Sequence, residues 1–370
     1  MEPISSALLS VITALPDEIP QGLRLQYTEL IRNHAGALDG LSENANNYMA
    51  PAEKVYEACK IIIQDRCIGT SSPRYHEQQK MNWSRTCWLA AACFFVLENM
   101  VEIAIVMKLI THLQCPFAIR SGGHNANPGF SSVDGHGVVL DLSSLRHVEL
   151  SEDRKVISAG PGATWDIVYK KLEEYDLTVA GGRVAEVGVG GLITGGGMSH
   201  FSNHWGFACD HVRNFEVVTA DSRIVQANCT ENTDLYHALK GTGSNFGIVS
   251  RFDIYVHQGC DIWWTMRMYN VTDGDRVMKA MFNLQKAMDE DDKIGSFLSI
   301  NPGFFILGLL YKESSAPPDA FQEFDTIEPK AIPIPGTKTT YLASARALSM
   351  STSMNYAVFK LRSCADIGVY

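Results

Sequence analysis

The 370-residue sequence predicts an α+β protein of more than one domain, and three observations carry that expectation. An apolar strand–helix–strand run between Ala92 and Arg120 ends in a glycine-containing loop, and a strand's C-terminal end is where ligand sites usually form. Short strands punctuated by Gly, Asp and Ser follow, interrupted by an unusually glycine-rich segment at 181–197. From about Gln258 the composition shifts, with Trp263, Trp264, Met266 and Met268 close together, as the ligand lining or the sheet core of a second domain.

Taken in order, residues 1–85 read as helical and connective. Glu53–Arg66 places Val55, Ala58, Cys59, Ile62 and Ile63 on one apolar helical face, and Trp83 and Trp88 are expected to pack rather than to contact a ligand. Ala92–Leu97 reads as a strand, Asn99–Leu113 as a helix with Asn99 available as N-cap, and Phe117–Arg120 as a strand. Strands near Gly137–Leu142, His147–Leu150 and Val156–Ala159 lead through Gly160-Pro161-Gly162 into a helix at Trp165–Tyr175. Beyond the glycine segment, Phe215–Ala220 turns through Asp221-Ser222 into Ile224–Ala227, Glu231–Leu239 is helical, and Gly247–Val256 is an apolar strand. Pro317-Pro318 and Ile332-Pro333-Ile334-Pro335-Gly336 are expected to be loops.

Charge and composition narrow the partners. A formal net charge of −10 argues against nucleic acid or an anionic membrane surface. Val101–Leu113 is the nearest approach to a membrane span, yet it is short of the ~20 apolar residues needed and carries Glu102 and Lys108. Nine cysteines include no C-x-x-C pair, so neither a zinc site nor a dithiol motif is suggested. Ala7–Leu15 could serve as a signal core, but no Lys or Arg precedes it and no clear cleavage site follows, which favours an intracellular over a secreted chain. Sequons at Asn82, Asn228 and Asn270 would permit glycosylation in the secreted case.

Two stretches carry the chemistry. In Arg120-Ser121-Gly122-Gly123-His124-Asn125 the adjacent glycines allow a tight turn that aims N–H groups at one anion, and an imidazole follows directly. Residues 181–197 hold eight glycines in seventeen positions. Ordering so flexible a chain is costly, and it is tolerated where the main chain itself must approach a ligand. Val184, Val187, Val189, Leu192 and Ile193 make the segment too apolar for a solvated tether. Gly241-x-Gly243-x-x-x-Gly247 is not a Rossmann fingerprint, because its third glycine falls one place late and Val249 begins a strand where a helix is required. His200 and His204 have metal-ligand spacing, but no H-E-x-x-H glutamate accompanies them, so no metal is expected.

Together with Gly206-Phe207-Ala208-Cys209-Asp210 and Gly241–Val249, these stretches resemble the berberine-bridge-enzyme-like branch of the vanillyl-alcohol-oxidase (PCMH-type) flavoproteins, fungal members in particular, from about Cys87 to His257. The resemblance implies an α+β fold with a two-subdomain PCMH-type FAD-binding domain at 86–257. A partial substrate domain with an antiparallel sheet would occupy 258–370. It implies FAD bound by His124, Arg120, Ser121, Gly122, Gly123, Asn125, Gly181, Val187, Gly188, Gly190, Gly191, Gly195, Gly196, Ile248 and Val249, with His200 and His204 near the adenosine side. The flavin 8α-methyl would be joined to His124. Several relatives add a cysteinyl link at a position that here is Val184, so one covalent bond is expected.

The implied activity is hydride transfer from an alcohol, amine or secondary-metabolite substrate to flavin N5, with O₂ as acceptor. A dehydrogenase using another acceptor and a flavin-binding but catalytically impaired protein are the rival readings. Tyr269, Tyr311, Tyr341 and Tyr356 are candidate bases, and nothing in their spacing selects one. Ala357–Tyr370 shows no recognisable C-terminal return to the flavin domain, so the sequence is expected to be truncated relative to that family.

Overall fold

The computed structural model of the chain describes residues 2–43, 49–312 and 317–349. Tyr356 and the 357–370 segment therefore lie outside the described residues. In chain order the elements are helices α1 (Ile4–Thr13), α2 (Gln21–Asn33), α3 (Ala35–Glu43) and α4 (Pro51–Ile62), strand β1 (Cys67–Gly69), α5 (Tyr75–Gln79), β2 (Cys93–Val96), α6 (Met100–Leu113), β3 (Phe117–Arg120), β4 (Val138–Asp141), β5 (Val148–Leu150), β6 (Val156–Ala159), α7 (Trp165–Glu173), β7 (Leu177–Thr178), α8 (Val189–Thr194), α9 (Ser202–Trp205), β8 (Val212–Val218), β9 (Ile224–Asn228), α10 (Thr233–Ala238), β10 (Ile248–Tyr255), β11 (His257–Gln258), β12 (Asp261–Asn270), α11 (Gly274–Glu290), β13 (Ile294–Asn301), β14 (Phe304–Tyr311), β15 (Ala331–Thr340) and α12 (Tyr341–Ser349).

The first sheet has the order β1-β2-β4-β3, with β2, β4 and β3 parallel and β1 antiparallel to β2. Its edge strand β1 comes from the N-terminal region, so residues 67–69 are part of this sheet. Helix α6 is buried almost all round, which fits its continuous apolar sequence. It packs on α1 and α4 and against β8 of the next sheet. The Asn99 side chain accepts the Glu102 N–H at 3.0 Å and caps the helix, as its position at the helix start predicts. Gln114, in the left-handed region at φ 53°, ends it and turns the chain into β3.

The second sheet is antiparallel, in the order β5-β6-β10-β8-β9. One face packs on α7 and α8 through Trp165, Val189, Ile193, Phe215, Phe252 and Ile254. Gly247, at φ 139°, leads straight into β10, the strand that rules out a Rossmann turn there. The third sheet, also antiparallel, runs β13-β14-β12-β15 and carries α11 on one face.

Its edge strand overturns one expectation. Ile332–Gly336, read as a loop from its prolines, lies within β15. Proline lacks the N–H that a central strand needs, but an edge strand has a side with no partner. The β12–β15 pairing accommodates Pro333, Pro335 and Gly336 with two register shifts, and the strand remains largely exposed.

Candidate functional site

The parallel pairing of β3 with β4 sets Arg120 opposite Asp141, and both are buried. Arg120 Nε donates to Asp141 Oδ2 at 3.0 Å, Nη1 donates to the Gln78 carbonyl at 2.7 Å, and Nη2 reaches Gln78 Oε1 and Asp141. The guanidinium also lies over the Phe94 ring. These inward contacts occupy the group that the sequence placed among the cofactor contacts. Arg120 is a brace under the loop, fixing where β3 ends.

Beyond that brace the chain passes Ser121 and Gly122 and meets the glycine segment. A Cβ on Gly122 would lie 2.6 Å from Gly188 N and 2.7 Å from Gly188 Cα, and a Cβ on Gly188 would lie 2.8 Å from Gly122. Two main chains thus touch with no side chain between them, a contact only glycine allows. One on Gly190 would meet Ser121 Oγ at 2.7 Å, and Ser121 Oγ itself donates to the Pro161 carbonyl. Gly188 is bridged to Thr164, and Val187 O accepts from Trp165 N at 3.1 Å. The loop at 120–125 and the segment at 187–190, 62 or more residues apart in sequence, are therefore one surface.

The remaining glycines divide sharply. Gly181 is packed against Trp165, where a Cβ would come within 2.4 Å of the indole, so its lack of a side chain serves the core. Gly191 and Gly195 are exposed along α8. At Gly191, Gly196 and Gly243 an added Cβ would meet nothing within 4 Å. Gly196 (φ 92°), Gly241 (φ 92°) and Gly243 (φ 70°) adopt left-handed backbone, and Gly243 N donates to Thr194 O at 2.8 Å, joining the two loops. The result is an open trough floored by main chain. Ile248 and Val249 pair with Val218 and Val217 of β8, while β6 pairs with β10 only from Phe252 onward. One edge of the main chain at 248–250 is thus left without a partner strand. Their side chains are buried in the core, so only their backbone is offered to the trough.

His124 is half-buried and lies parallel to the indole of Trp83, with ring centroids 6.1 Å apart and an interplanar angle of 18°. Gly123 (φ 67°) shapes the turn before it, and Asn125 is exposed, its Oδ1 accepting the Asn127 N–H. Val184 is half-buried, and the neighbouring Ala185 N–H bonds to Ala345 O and Ser349 Oγ of α12.

His200 and His204 do not converge. His204 Nδ1 lies 2.8 Å from Asp292 Oδ2. His200 is buried against β13, where a Cβ on Gly295 would touch its carbonyl at 2.4 Å, and its ring lies 6.2 Å from that of Phe297. Neither ring nitrogen of His200 has a protein partner, and burial, with Arg183 nearby, lowers its pKa to about 3. Their expected place on an adenosine side has no support here, since both contact the third sheet or the turn before it. Among the candidate bases, Tyr269 is buried and donates to Phe324 O at 3.3 Å. Tyr341 sits in an aromatic cluster with Tyr169, Phe201 and Trp205, and burial pushes its phenol well above the usual range. Neither has the character of a base at neutral pH.

Sequence reading missed the segment before the flavin domain. Gln78, Asn82 and Trp83 build the underside of the histidine loop, and the only signal they gave was a cluster of tryptophans without an apolar periodicity. It also missed α8, whose high glycine content conceals a helix.

Comparison with known proteins bears on what this part of the chain holds. The family described as the FAD binding domain matches residues 91–228. The FAD-dependent monooxygenase yanF of Aspergillus niger is 37% identical over 280 residues, which cover 76% of this chain and 48% of that protein. The FAD-dependent monooxygenase macF of Penicillium terrestre is 38% identical over 270 residues, 72% of this chain and 52% of that protein. The chain spans about half the length of these curated relatives. Among solved structures, BBE-like 1 of Physcomitrella patens superposes with a TM-score of 0.70 at 18% identity, over 77% of this chain and 62% of that one. A xylooligosaccharide oxidase of Myceliophthora thermophila, solved with xylobiose, superposes with a TM-score of 0.69 at 22% identity, over 80% and 63%. Residues 91–228 therefore form an FAD binding domain, the chain is similar to fungal FAD-dependent monooxygenases over about half of their length, and it shares the fold of berberine-bridge-enzyme-like proteins.

Proposed function

We propose that the protein is an FAD-dependent oxidase acting on a hydroxyl- or amine-bearing small molecule, with FAD joined covalently to His124 alone. The observation that carries this reading is the main-chain contact of Gly122 with Gly188, which sets the histidine loop beside the open trough at Gly191, Gly196 and Gly243. Main-chain N–H groups of 121–123 and of Gly190 and Gly191 would hold the pyrophosphate, since those of Val189, Gly195 and Gly196 already donate to the Ala163, Gly191 and Ile193 carbonyls, and the backbone at Ile248 and Val249 would border the ring system. Bound there, FAD supplies the two-electron acceptor. The chain supplies the tether at His124, the rigid floor of the trough and a substrate region in 258–370. Valine at 184 has no group able to form a second link.

Two features of the relatives support small-molecule oxidation with O₂. The fungal relatives are named monooxygenases, and one structural neighbour is an oxidase solved with a sugar. A secondary metabolite fits this company. Oxygen insertion is the second reading, motivated by the relatives' names.

Acid precipitation of purified protein should leave yellow flavin with the pellet, and His124→Ala should release it. Anaerobic addition of an alcohol and amine panel should bleach the flavin, and air should restore it with release of peroxide. Oxygen appearing in the product without peroxide favours the second reading. Absence of bleaching with every compound would indicate flavin binding without turnover.

A further inference from the structure

The segment 78–88 grips the histidine loop along its whole length. Arg120 holds its start through Gln78. Trp83 N donates to Gly123 O at 3.0 Å, Thr86 Oγ1 donates to Ala126 O at 3.1 Å, and Cys87 Sγ donates to Asn125 O at 3.3 Å. Within the segment, Asn82 Nδ2 donates to Cys87 O at 3.0 Å and Trp88 Nε1 donates to Asn82 O at 2.7 Å. Ser131 Oγ, from the far end of the loop, donates to Asn82 Oδ1 at 3.2 Å. Gly123 is tight against this scaffold, since a Cβ there would lie 3.1 Å from Asn82 Oδ1.

With the backbone fixed at Gly123, the orientation of the next side chain depends on what its ring meets. The imidazole of His124 meets the Trp83 indole in an offset parallel stack, 6.1 Å between centroids and 18° between planes. A flat partner on one side removes the rotamers that would turn the imidazole through that plane. An imidazole that must bond one particular carbon gains from this restriction, because misplacement by about 1 Å can cost a covalent step ~100-fold.

We propose that Trp83 is a positioning residue for flavin attachment, holding the His124 imidazole in the orientation from which it bonds the flavin. The proposal rests on the reading of His124 as the attachment point. In the overall step a new bond joins an imidazole nitrogen to the flavin 8α carbon. One hydrogen leaves that carbon and one leaves the imidazole. The two hydrogens, with two electrons, pass through the flavin to O₂, which becomes hydrogen peroxide, and the flavin ends oxidised.

The test compares wild type, Trp83→Ala, Trp83→Phe and His124→Ala as full-length chains supplied with FAD. Total bound flavin, the fraction surviving acid precipitation, the flavin-bearing peptide and the melting temperature are measured on each. Trp83→Ala is expected to bind FAD in wild-type amount but to attach it about 10- to 100-fold more slowly. Trp83→Phe, which keeps a flat ring, should recover most of the rate. Wild-type attachment by Trp83→Ala would overturn the proposal. So would equal loss of bound and attached flavin in both tryptophan variants, since that shows a structural role. Release of all flavin from acid-treated wild type would overturn the attachment at His124 itself, and the role of Trp83 with it.

Discussion

Two glycines 69 positions apart provide a sharp test of the trough, because the same substitution should act on them through opposite physics. At Gly122, alanine would put a methyl 2.6 Å from Gly188 N and 2.7 Å from its Cα. Ordinary contacts of this kind fall at about 3.5–4.0 Å, so the overlap is about 1 Å against main chain on both sides. No side chain can swing away, and the cost should sit near the upper end of overpacking, about 3 kcal/mol. Gly191 is exposed on α8 with nothing within 4 Å of its added methyl. Alanine there should stabilise the flavin-free chain by about 0.5–1 kcal/mol through helix propensity. If FAD lies along α8, that methyl occupies space the cofactor needs. Gly191→Ala should then lower FAD affinity about tenfold, equivalent to ~1.4 kcal/mol, and Gly191→Val should lower it further. Thermal melts of flavin-free protein and flavin titrations separate the two effects. Gly122→Ala should lose both stability and flavin, whereas Gly191→Ala should gain stability and lose flavin. Full flavin stoichiometry with wild-type affinity in Gly191→Val would refute the placement of the cofactor.

Three further outcomes follow from the same geometry. Asp141→Asn strands a buried guanidinium and should cost about 3–5 kcal/mol in denaturant unfolding, whereas the double variant Asp141→Leu/Arg120→Met should recover most of that loss. His200 has a folded pKa of about 3 against an ordinary 6.5, so folding stability is unaffected by its titration above pH 6.5 and falls as pH drops through 6.5 towards 3, where protonation favours the unfolded chain. His200→Phe should flatten that acid-side slope in melting curves and, by removing unpaired buried nitrogens, raise neutral stability by about 1–3 kcal/mol. In a glycosylating host, mass spectrometry should find glycan at the exposed Asn270 but none at Asn82, whose buried amide bonds to Cys87 and Ser131 carbonyls.

The regular elements near the site were legible because their signals are local. The Asn99 cap, the apolar run of α6 and the strand Phe117–Arg120 are each settled by neighbours within a few residues, and each occurs where the sequence puts it. Elements settled by distant partners were not legible. Pro333 and Pro335 read as a loop because their tolerance in β15 depends on that strand lying at an edge of its sheet, a property of four strands at once. Arg120 read as a cofactor contact because it adjoins Ser-Gly-Gly-His, whereas its partners Gln78 and Asp141 are 42 and 21 residues away. Asn82 read as a sequon because the triplet carries no information about burial.

Glycine shows the same limit within the site itself. Sequence density alone marks 181–197 as a stretch where main chain approaches something closely, but it cannot say what is approached. At Gly181 it is the Trp165 indole, and at Gly122, Gly188 and Gly190 it is the facing loop. At Gly191, Gly196 and Gly243, by contrast, the freed space is open. These two roles depend on each other. The closed glycines let two loops interlock without side chains, which makes the floor rigid, and rigidity is what keeps the open space over Gly191, Gly196 and Gly243 at a fixed position. If FAD lies over the open glycines as proposed, a mutation in the first group reaches the cofactor only by loosening the floor, while one in the second reaches it directly. That difference is the physical reason stability and flavin affinity should move together at Gly122 and in opposite directions at Gly191.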